Sequence, residues 1–230
     1  MSVINGWMTT MISITDLHKT YRRGEEVVEA IRGVDFQVND GDFVVVIGPS
    51  GGGKSTLLNL IGGIDHPSSG SIQYNGYELA GASEEDLTVF RRENIGFVFQ
   101  FYNLLFSLNA VENVQLPLMA KRVPMKAARE KAVEVLKQVG LSHRLTHLPS
   151  ELSGGEQQRV AIARSIIAEP RLVLADEPTG DLDSVATREI NQLMHQLNQE
   201  MGITFIVATH NLLLTEKATR VIELRDGKIQ

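Results

Sequence analysis

Gly48-Pro49-Ser50-Gly51-Gly52-Gly53-Lys54-Ser55-Thr56 follows Phe43-Val44-Val45-Val46-Ile47, a short apolar β-branched run, and precedes Leu57-Leu58-Asn59-Leu60-Ile61, which reads as the start of a helix. Strand, glycine-rich loop and helix in that order, with the spacing G-x-x-x-x-G-K-[ST], make the context in which a loop cradles phosphate. The glycines let successive backbone N–H groups turn inward toward phosphate oxygens. The helix N-terminus adds its partial positive charge. Lys54 is long enough to reach the β- and γ-phosphates of a nucleotide, and the Ser55 hydroxyl can ligate Mg²⁺. A glycine-rich turn by itself would imply none of this; the complete pattern between strand and helix does.

The 230 residues suffice for one large α/β domain or a core with a subdomain, and 43% of them are hydrophobic, as a substantial core requires. A net charge of −6 argues against a general nucleic-acid binder. With no cysteine there is no disulfide framework and no thiolate chemistry. No apolar run approaches the roughly 20 residues that span a bilayer. The first ten residues lack a basic start and a long apolar segment, so they do not read as a signal peptide.

Residues 11–17 alternate apolar and polar, as a half-buried strand does. Val34 to Val38 alternate again before the turn signal Asn39-Asp40-Gly41. The expectation is an antiparallel β layer leading into the loop strand, with Tyr21 in a polar stretch from Lys19 to Glu26. Beyond the loop helix, His66 to Gly70 reads as a loop, Ser71 to Tyr74 as a strand and Asn75-Gly76 as a tight turn. Residues 83–94 read as a helix with Ser83 as N-cap, and Ile95 to Phe99 as a strand ending at Gln100. The block Phe101-Tyr102-Asn103-Leu104-Leu105-Phe106 crowds apolar groups; part of it, with Leu116 to Met119, is expected to line a groove. From about 109 to 150 the pattern is helical: Ala132, Val135, Leu136 and Val139 share one face, and Gly140 suits a C-cap. Ser153-Gly154-Gly155-Glu156 opens a helix that stops at Glu169-Pro170. Arg171 to Ala175 and Ile203 to Ala208 are two more buried strands, separated by a helix with Ile190, Leu193, Met194 and Leu197 on its apolar face. Residues 221–227 read as a terminal hairpin.

The first of these two strands ends in Asp176-Glu177-Pro178, the second in Thr209-His210. In open α/β sheets, ligands bind at the carboxyl ends of strands. Asp176 there can hold Mg²⁺, and Glu177 can polarise the water that attacks a γ-phosphate. Two acids at this point could instead merely cap the next helix, a reading that the preceding phosphate loop disfavours. The strand-end position singles out His210; the other five histidines, in loops or helices, read as ordinary polar residues.

Leu152-Ser153-Gly154-Gly155-Glu156-Gln157-Gln158-Arg159 resembles the signature motif of the ATP-binding-cassette ATPases. The resemblance runs from residue 11 to residue 230, with Tyr21, the loop at 48–56, Gln100, the signature, Asp176-Glu177, Leu182-Asp183 and His210 in family order. It implies an α/β P-loop NTPase with a RecA-like core, an antiparallel β subdomain and a helical signature subdomain at about 101–165. The ATPase domain would cover 11–230, behind an N-terminal extension at 1–10. The cofactors implied are ATP and Mg²⁺. Gly48, Pro49, Ser50, Gly51, Gly52, Gly53, Lys54, Ser55 and Thr56 would surround the phosphates, with Tyr21 as a stacking platform for adenine. Ser55, Gln100 and Asp176 would surround Mg²⁺, and Glu177 and His210 would be catalytic. Ser153, Gly154, Gly155 and Glu156 would face the nucleotide of a second copy in a head-to-tail ATP sandwich, and Asp183 would organise the dimer contact. A helix N-terminus carrying two glycines suits a second phosphate cradle.

Residues 95–105 and 175–180 resemble more narrowly the lipoprotein-releasing and macrolide-exporter ATPases. That likeness implies an integral membrane permease subunit with four transmembrane helices as partner, a place on the cytoplasmic face of the bacterial inner membrane, and no nucleic acid. Two positions depart from the family pattern, Gly52 where serine is common and Asn211 where aspartate is common; neither removes a group the chemistry needs. Soluble cassette proteins of DNA repair carry a long coiled coil between loop and signature, and those of translation carry two cassettes; neither feature is present. A regulatory or scaffold ATPase of a cell-division-type membrane complex is the alternative, against which Glu177 and His210 argue for turnover.

Overall fold

The computed structural model describes residues 10–24 and 26–230. Its strands are β1 (Thr10–Arg23), β2 (Glu26–Asn39), β3 (Phe43–Ile47), β4 (Ser69–Tyr74), β5 (Tyr77–Glu78), β6 (Ile95–Phe99), β7 (Leu172–Asp176), β8 (Thr204–Thr209), β9 (Arg220–Arg225) and β10 (Lys228–Ile229). Its helices are α1 (Lys54–Ile61), α2 (Glu84–Asn94), α3 (Ala110–Ala120), α4 (Met125–Gln138), α5 (Gly154–Ile166) and α6 (Ser184–Met201). The extension expected at 1–10 lies outside the described residues except for Thr10, which begins β1.

Two sheets result. The antiparallel one has the order β2-β1-β4-β5, and the other, parallel but for β10, has the order β10-β9-β3-β8-β7-β6. The β1–β2 hairpin reaches further than its alternation suggested. Lys19 to Arg23 and Glu26 belong to it, with Tyr21 opposite Val28. Both strands are largely exposed there, so polar residues occupy both faces and the period of two disappears. Strand β4 likewise starts earlier than expected, at Ser69.

The parallel sheet is buried on both faces, and its residues divide by parity. Val44, Val46, Leu172, Leu174, Ile206 and Ala208 pack with α1, α2 and the antiparallel sheet. Phe43, Val45, Val173, Ala175, Phe205 and Val207 pack with α3, α4, α5 and α6. Continuous apolar runs in β3, β7 and β8 follow from this two-sided burial. The apolar stripe of α6 (Ile190, Leu193, Met194, Leu197) and that of α4 (Ala132, Val135, Leu136) are buried as their spacing predicts. Helix α4 ends at Gln138 with Val139 as its cap, and Gly140 follows in the left-handed region at φ 82°.

Register sets the site. Ile47 lies beside Thr209, and Asp176 beside Ala208, so β3, β7 and β8 end together at one edge of the sheet. The loop at 48–53, the Asp176-Glu177 turn and His210 all leave from that edge.

Candidate active site

The glycine-rich loop is shaped by residues a side chain would block. Gly48 has φ 154°, and a Cβ there would lie 2.0 Å from the Leu224 carbonyl oxygen. Gly53, the N-cap of α1, has φ 101°, and its Cβ would lie 2.5 Å from the Ala30 carbonyl oxygen. The turn of the terminal hairpin backs the loop: the Gly227 N–H donates to the Gly52 carbonyl (3.2 Å), and the Arg32 N–H donates to the Gly227 carbonyl (2.8 Å). Lys54 is buried, donating to the carbonyl oxygens of Gly48 (2.9 Å) and Pro49 (3.1 Å), with its ammonium 3.6 Å from Glu177.

These groups face a cleft of about 590 Å³. Of the expected residues, Ser50, Gly51, Gly53, Lys54, Ser55, Thr56, Gln100 and Glu177 line it. Val28, Glu29, Ala30, Arg32, Asp226 and Gly227 line it too, and sequence reasoning missed them. They come from the β1–β2 and β9–β10 hairpins; Asp226-Gly227 was legible as a turn, though nothing in it points to the cleft.

Glu177 sits in the left-handed region at φ 46°. Its N–H donates to the Ala208 carbonyl (2.8 Å), and the Gly180 N–H donates to its own carbonyl (3.1 Å). Its Oε2 is 3.0 Å from His210 Nδ1 and accepts the His210 backbone N–H at 3.2 Å. A strained turn thus holds a carboxylate between a lysine and a histidine. Asp176 is behind it, with Oδ1 buried and lacking a hydrogen-bond partner among the described residues. Burial pushes the Asp176 carboxyl above its ordinary range; the Ser55 hydroxyl opposes this, Glu177 adds to it and Lys54 opposes it. No cluster of three His, Asp or Glu residues suited to a metal occurs among the described residues.

Tyr21 stands outside the cleft lining and is partly exposed. Its hydroxyl donates to Asp65 Oδ2 (2.7 Å), and the Lys19 ammonium lies 4.8 Å from its ring centroid. Lys19 also donates to Asp65 Oδ1 (2.6 Å) and the His66 carbonyl (2.7 Å), so a three-residue network fixes the ring. Burial and then the Asp65 carboxylate raise the pKa of the Tyr21 phenol, against a lowering by Thr56.

Ser153, Gly154, Gly155 and Glu156 do not meet the loop cleft in one chain. They line a separate hollow of about 300 Å³ with Asp181, Leu182, Asp183 and Ala186. Ser153 caps α5 in a reciprocal pair: its Oγ accepts from the Glu156 N–H (3.3 Å), and Glu156 Oε2 accepts from the Ser153 N–H (2.8 Å). Glu156 also binds Arg144 (2.8 Å). The Ser153 N–H, ahead of Arg144, holds the Glu156 carboxyl down at about 2. Asp183 caps α6, accepting from Val185 and Ala186, and its carboxyl is held below the ordinary range. Gln100 joins the cleft to this hollow by donating to Asp181 Oδ1 (3.3 Å).

A P-loop strand and an acid-ended strand separated by β8, with Lys54 and Glu177 facing one cleft, define a nucleotide-hydrolysing P-loop domain. Residues 31–180 match the ABC transporter family, and the chain belongs to that family as an ATPase. It is 45% identical over 219 residues to the lipoprotein-releasing system ATP-binding protein LolD of Syntrophus aciditrophicus, covering 95% of this chain and 98% of that one. It is 48% identical over 220 residues to the macrolide export ATP-binding/permease protein MacB of Bdellovibrio bacteriovorus, covering 96% of this chain but 33% of that protein. The solved dimer of the ATP-binding cassette MJ0796 with ADP and Pi superposes with a TM-score of 0.89 at 42% identity, covering 96% of this chain and 97% of that one. No helix among the described residues is long and apolar enough to cross a membrane.

Proposed function

We propose that this chain is the ATP-hydrolysing subunit of a membrane exporter or mechanotransmission complex, acting as a head-to-tail dimer. The observation that carries the dimer is the separation of the two hollows: the phosphate loop and the Ser153 helix terminus line different cavities of one chain. Facing copies would close each loop cleft with the other's Ser153, Gly154 and Gly155, adding a second set of N–H donors to the γ-phosphate.

Within each closed site, Lys54 exchanges its loop carbonyls for β- and γ-phosphate oxygens, and adenine stacks on Tyr21. Glu177 accepts a proton from, or orients, the attacking water; His210 holds that carboxylate and reaches the γ-phosphate. Asp183 organises the dimer contact. Mg²⁺ fits this site, because the buried Asp176 Oδ1 lacks a partner among the described residues and Ser55 lies close by. Ser55, Asp176 and Gln100 would hold it, and when bound it offsets charge on the phosphates.

The membrane partner is assigned to a groove and the apolar loop beside it. A groove of about 560 Å³ is lined by Phe97, Phe99, Asn103, Pro117, Ala120 and Arg164, among others. Beside it Phe101 (74%), Leu105 (49%) and Phe106 (75%) are exposed, whereas Leu104 is core. Of the apolar block only Asn103 lines the groove itself. A cytoplasmic segment of a four-helix permease would dock there, at the cytoplasmic face of the bacterial inner membrane. The relatives named for lipoprotein release and macrolide export support this partner.

The dimer is tested by complementation. Lys54→Ala and Ser153→Arg chains should each be inactive alone. Mixed, they should recover ATPase activity, because one composite site per heterodimer keeps both groups. Failure to recover, with wild-type activity linear in concentration at high dilution, would sink the proposal.

A further inference from the structure

Gln158, five residues into the signature helix from Ser153, is wholly buried. Its Nε2 donates to the Pro178 carbonyl oxygen at 2.7 Å, one residue past Glu177. That bond fixes the amide's orientation and leaves Oε1 buried without a partner among the described residues. Such a residue is a poor stabiliser. One neutral hydrogen bond contributes little net, and a buried orphan oxygen costs at least as much. What the side chain supplies is position.

The turn it grips needs holding. Glu177 is a non-glycine residue at φ 46°, a conformation that persists only where its surroundings impose it. Strand β8 restrains one side of the turn through the Ala208 carbonyl; Gln158 restrains the other. Further along, Leu182 is close enough to α5 that a Cβ at Gly154 would lie 3.3 Å from its side chain. One helix therefore carries the terminus proposed to meet the other copy's nucleotide and the grip on this copy's proposed catalytic turn.

We propose that Gln158 is a positioning residue: its amide transmits the seating of Ser153 on the opposite nucleotide to Glu177 in its own chain, and so links the two sites of the dimer. The proposal rests on the reading of Glu177 and Ser153 given above. A shift of the turn moves the carboxylate relative to the water it orients, and a displacement near 1 Å costs about a hundredfold in rate.

Gln158→Met keeps length and volume but removes the donor. Its kcat should fall by about ten- to hundredfold, with KM for ATP within about twofold, since the loop contacts are untouched. Coupling to Glu177 separates positioning from general loosening. In a Glu177→Gln background, Gln158→Met should cause almost no further loss of residual hydrolysis, because the group it positions is already disabled. Gln158→Asn, a milder change, should lower kcat in the same sense. A wild-type kcat in Gln158→Met, or a loss that multiplies fully with Glu177→Gln, overturns the proposal. If neither variant folds, Gln158 is core and the proposal falls. Near-normal turnover in Glu177→Gln alone would sink the underlying reading; an inactive Glu177→Gln beside a fully active Gln158→Met would sink this inference only.

Discussion

Lys54 is where charge and burial meet most tightly. Its side chain is 7% exposed, and its ammonium is held by two carbonyl oxygens near one carboxylate. Hydrogen bonds to a charged group contribute about 1.5–3 kcal/mol. Lys54→Ala should therefore weaken ATP binding about ten- to hundredfold by titration calorimetry, whereas Glu177→Gln should leave binding intact and remove most turnover. Equal loss of binding in both variants would contradict the separate roles. Glu156 makes a different prediction. Its carboxyl is held at about 2 in the folded chain, below the ordinary 4.5. Between those values the unfolded chain binds more protons, so this carboxylate's contribution is complete above about pH 4.5 and lost as pH falls toward 2. Glutamine can still accept the Ser153 N–H, but it loses the charge that meets Arg144. Glu156→Gln should cost about 1 kcal/mol at pH 7. The difference from wild type, followed by urea melts, should shrink below pH 4.5; a constant difference down to pH 2 would refute it.

Helix α5 works by gripping backbone outside itself, at Pro178 through Gln158 and at residues 102 and 103 through Arg164. Near its C-terminal end, Arg164 donates to the carbonyl oxygens of Asn103 (2.6 Å) and Tyr102 (2.7 Å). Both residues are left-handed, at φ 49° and 57°. Next to them the buried Asn113 accepts from the Leu105 N–H and donates to the Leu105, Leu108 and Asn109 carbonyls. The exposed apolar loop is thus pinned from two helices. Arg164→Ala leaves two carbonyls without their donor and should cost about 1–3 kcal/mol. Amide exchange should speed up over 101–108 and stay unchanged over 43–62. Arg164→Lys should not restore protection, because an ammonium lacks the planar fork. Uniformly faster exchange would mean that Arg164 supports the whole core instead. These grips mark the limit of what the sequence reveals. The loop, the strands β3, β7 and β8, Glu177 and the signature terminus were legible, because hydrophobic period and motif spacing encode them directly. Gln158, Arg164 and Asn113 were not, because each acts on a carbonyl oxygen, and every residue has one. The long β1–β2 hairpin was only half legible, since its solvated tip lacks a buried face to set a period.

At the scale of the molecule, two surfaces are proposed to be completed by other chains: the pair of hollows at the loop and signature, and the apolar loop beside the groove. Phe101, Leu105 and Phe106 stand out in water, although folding gives no reason to hold three such side chains on a loop so firmly pinned. Burying one of them against a partner is worth roughly 1.5–3 kcal/mol. The sequence leads to the expectation that part of this block, with Leu116 to Met119, lines a groove. The structure divides it, with Leu104 inside, Tyr102 half-buried and packed on the α3–α5 core, and the remaining apolar members outside. Tyr102 is therefore a poor probe, because its hydroxyl also lies over Gly154, where a Cβ would approach within 2.9 Å. Leu105→Asp and Phe106→Asp are better ones. Surface substitutions of this kind change stability by about 0.5 kcal/mol or less, so both variants should melt and hydrolyse ATP like the wild-type chain in solution. Each should lose co-purification with the proposed permease partner when the two are co-expressed, and any stimulation of ATPase activity by it. Retained co-purification in both variants would place the membrane contact elsewhere. Unfolding of both would show instead that the loop is held by its own apolar groups, and the docking surface would have to be sought on another face.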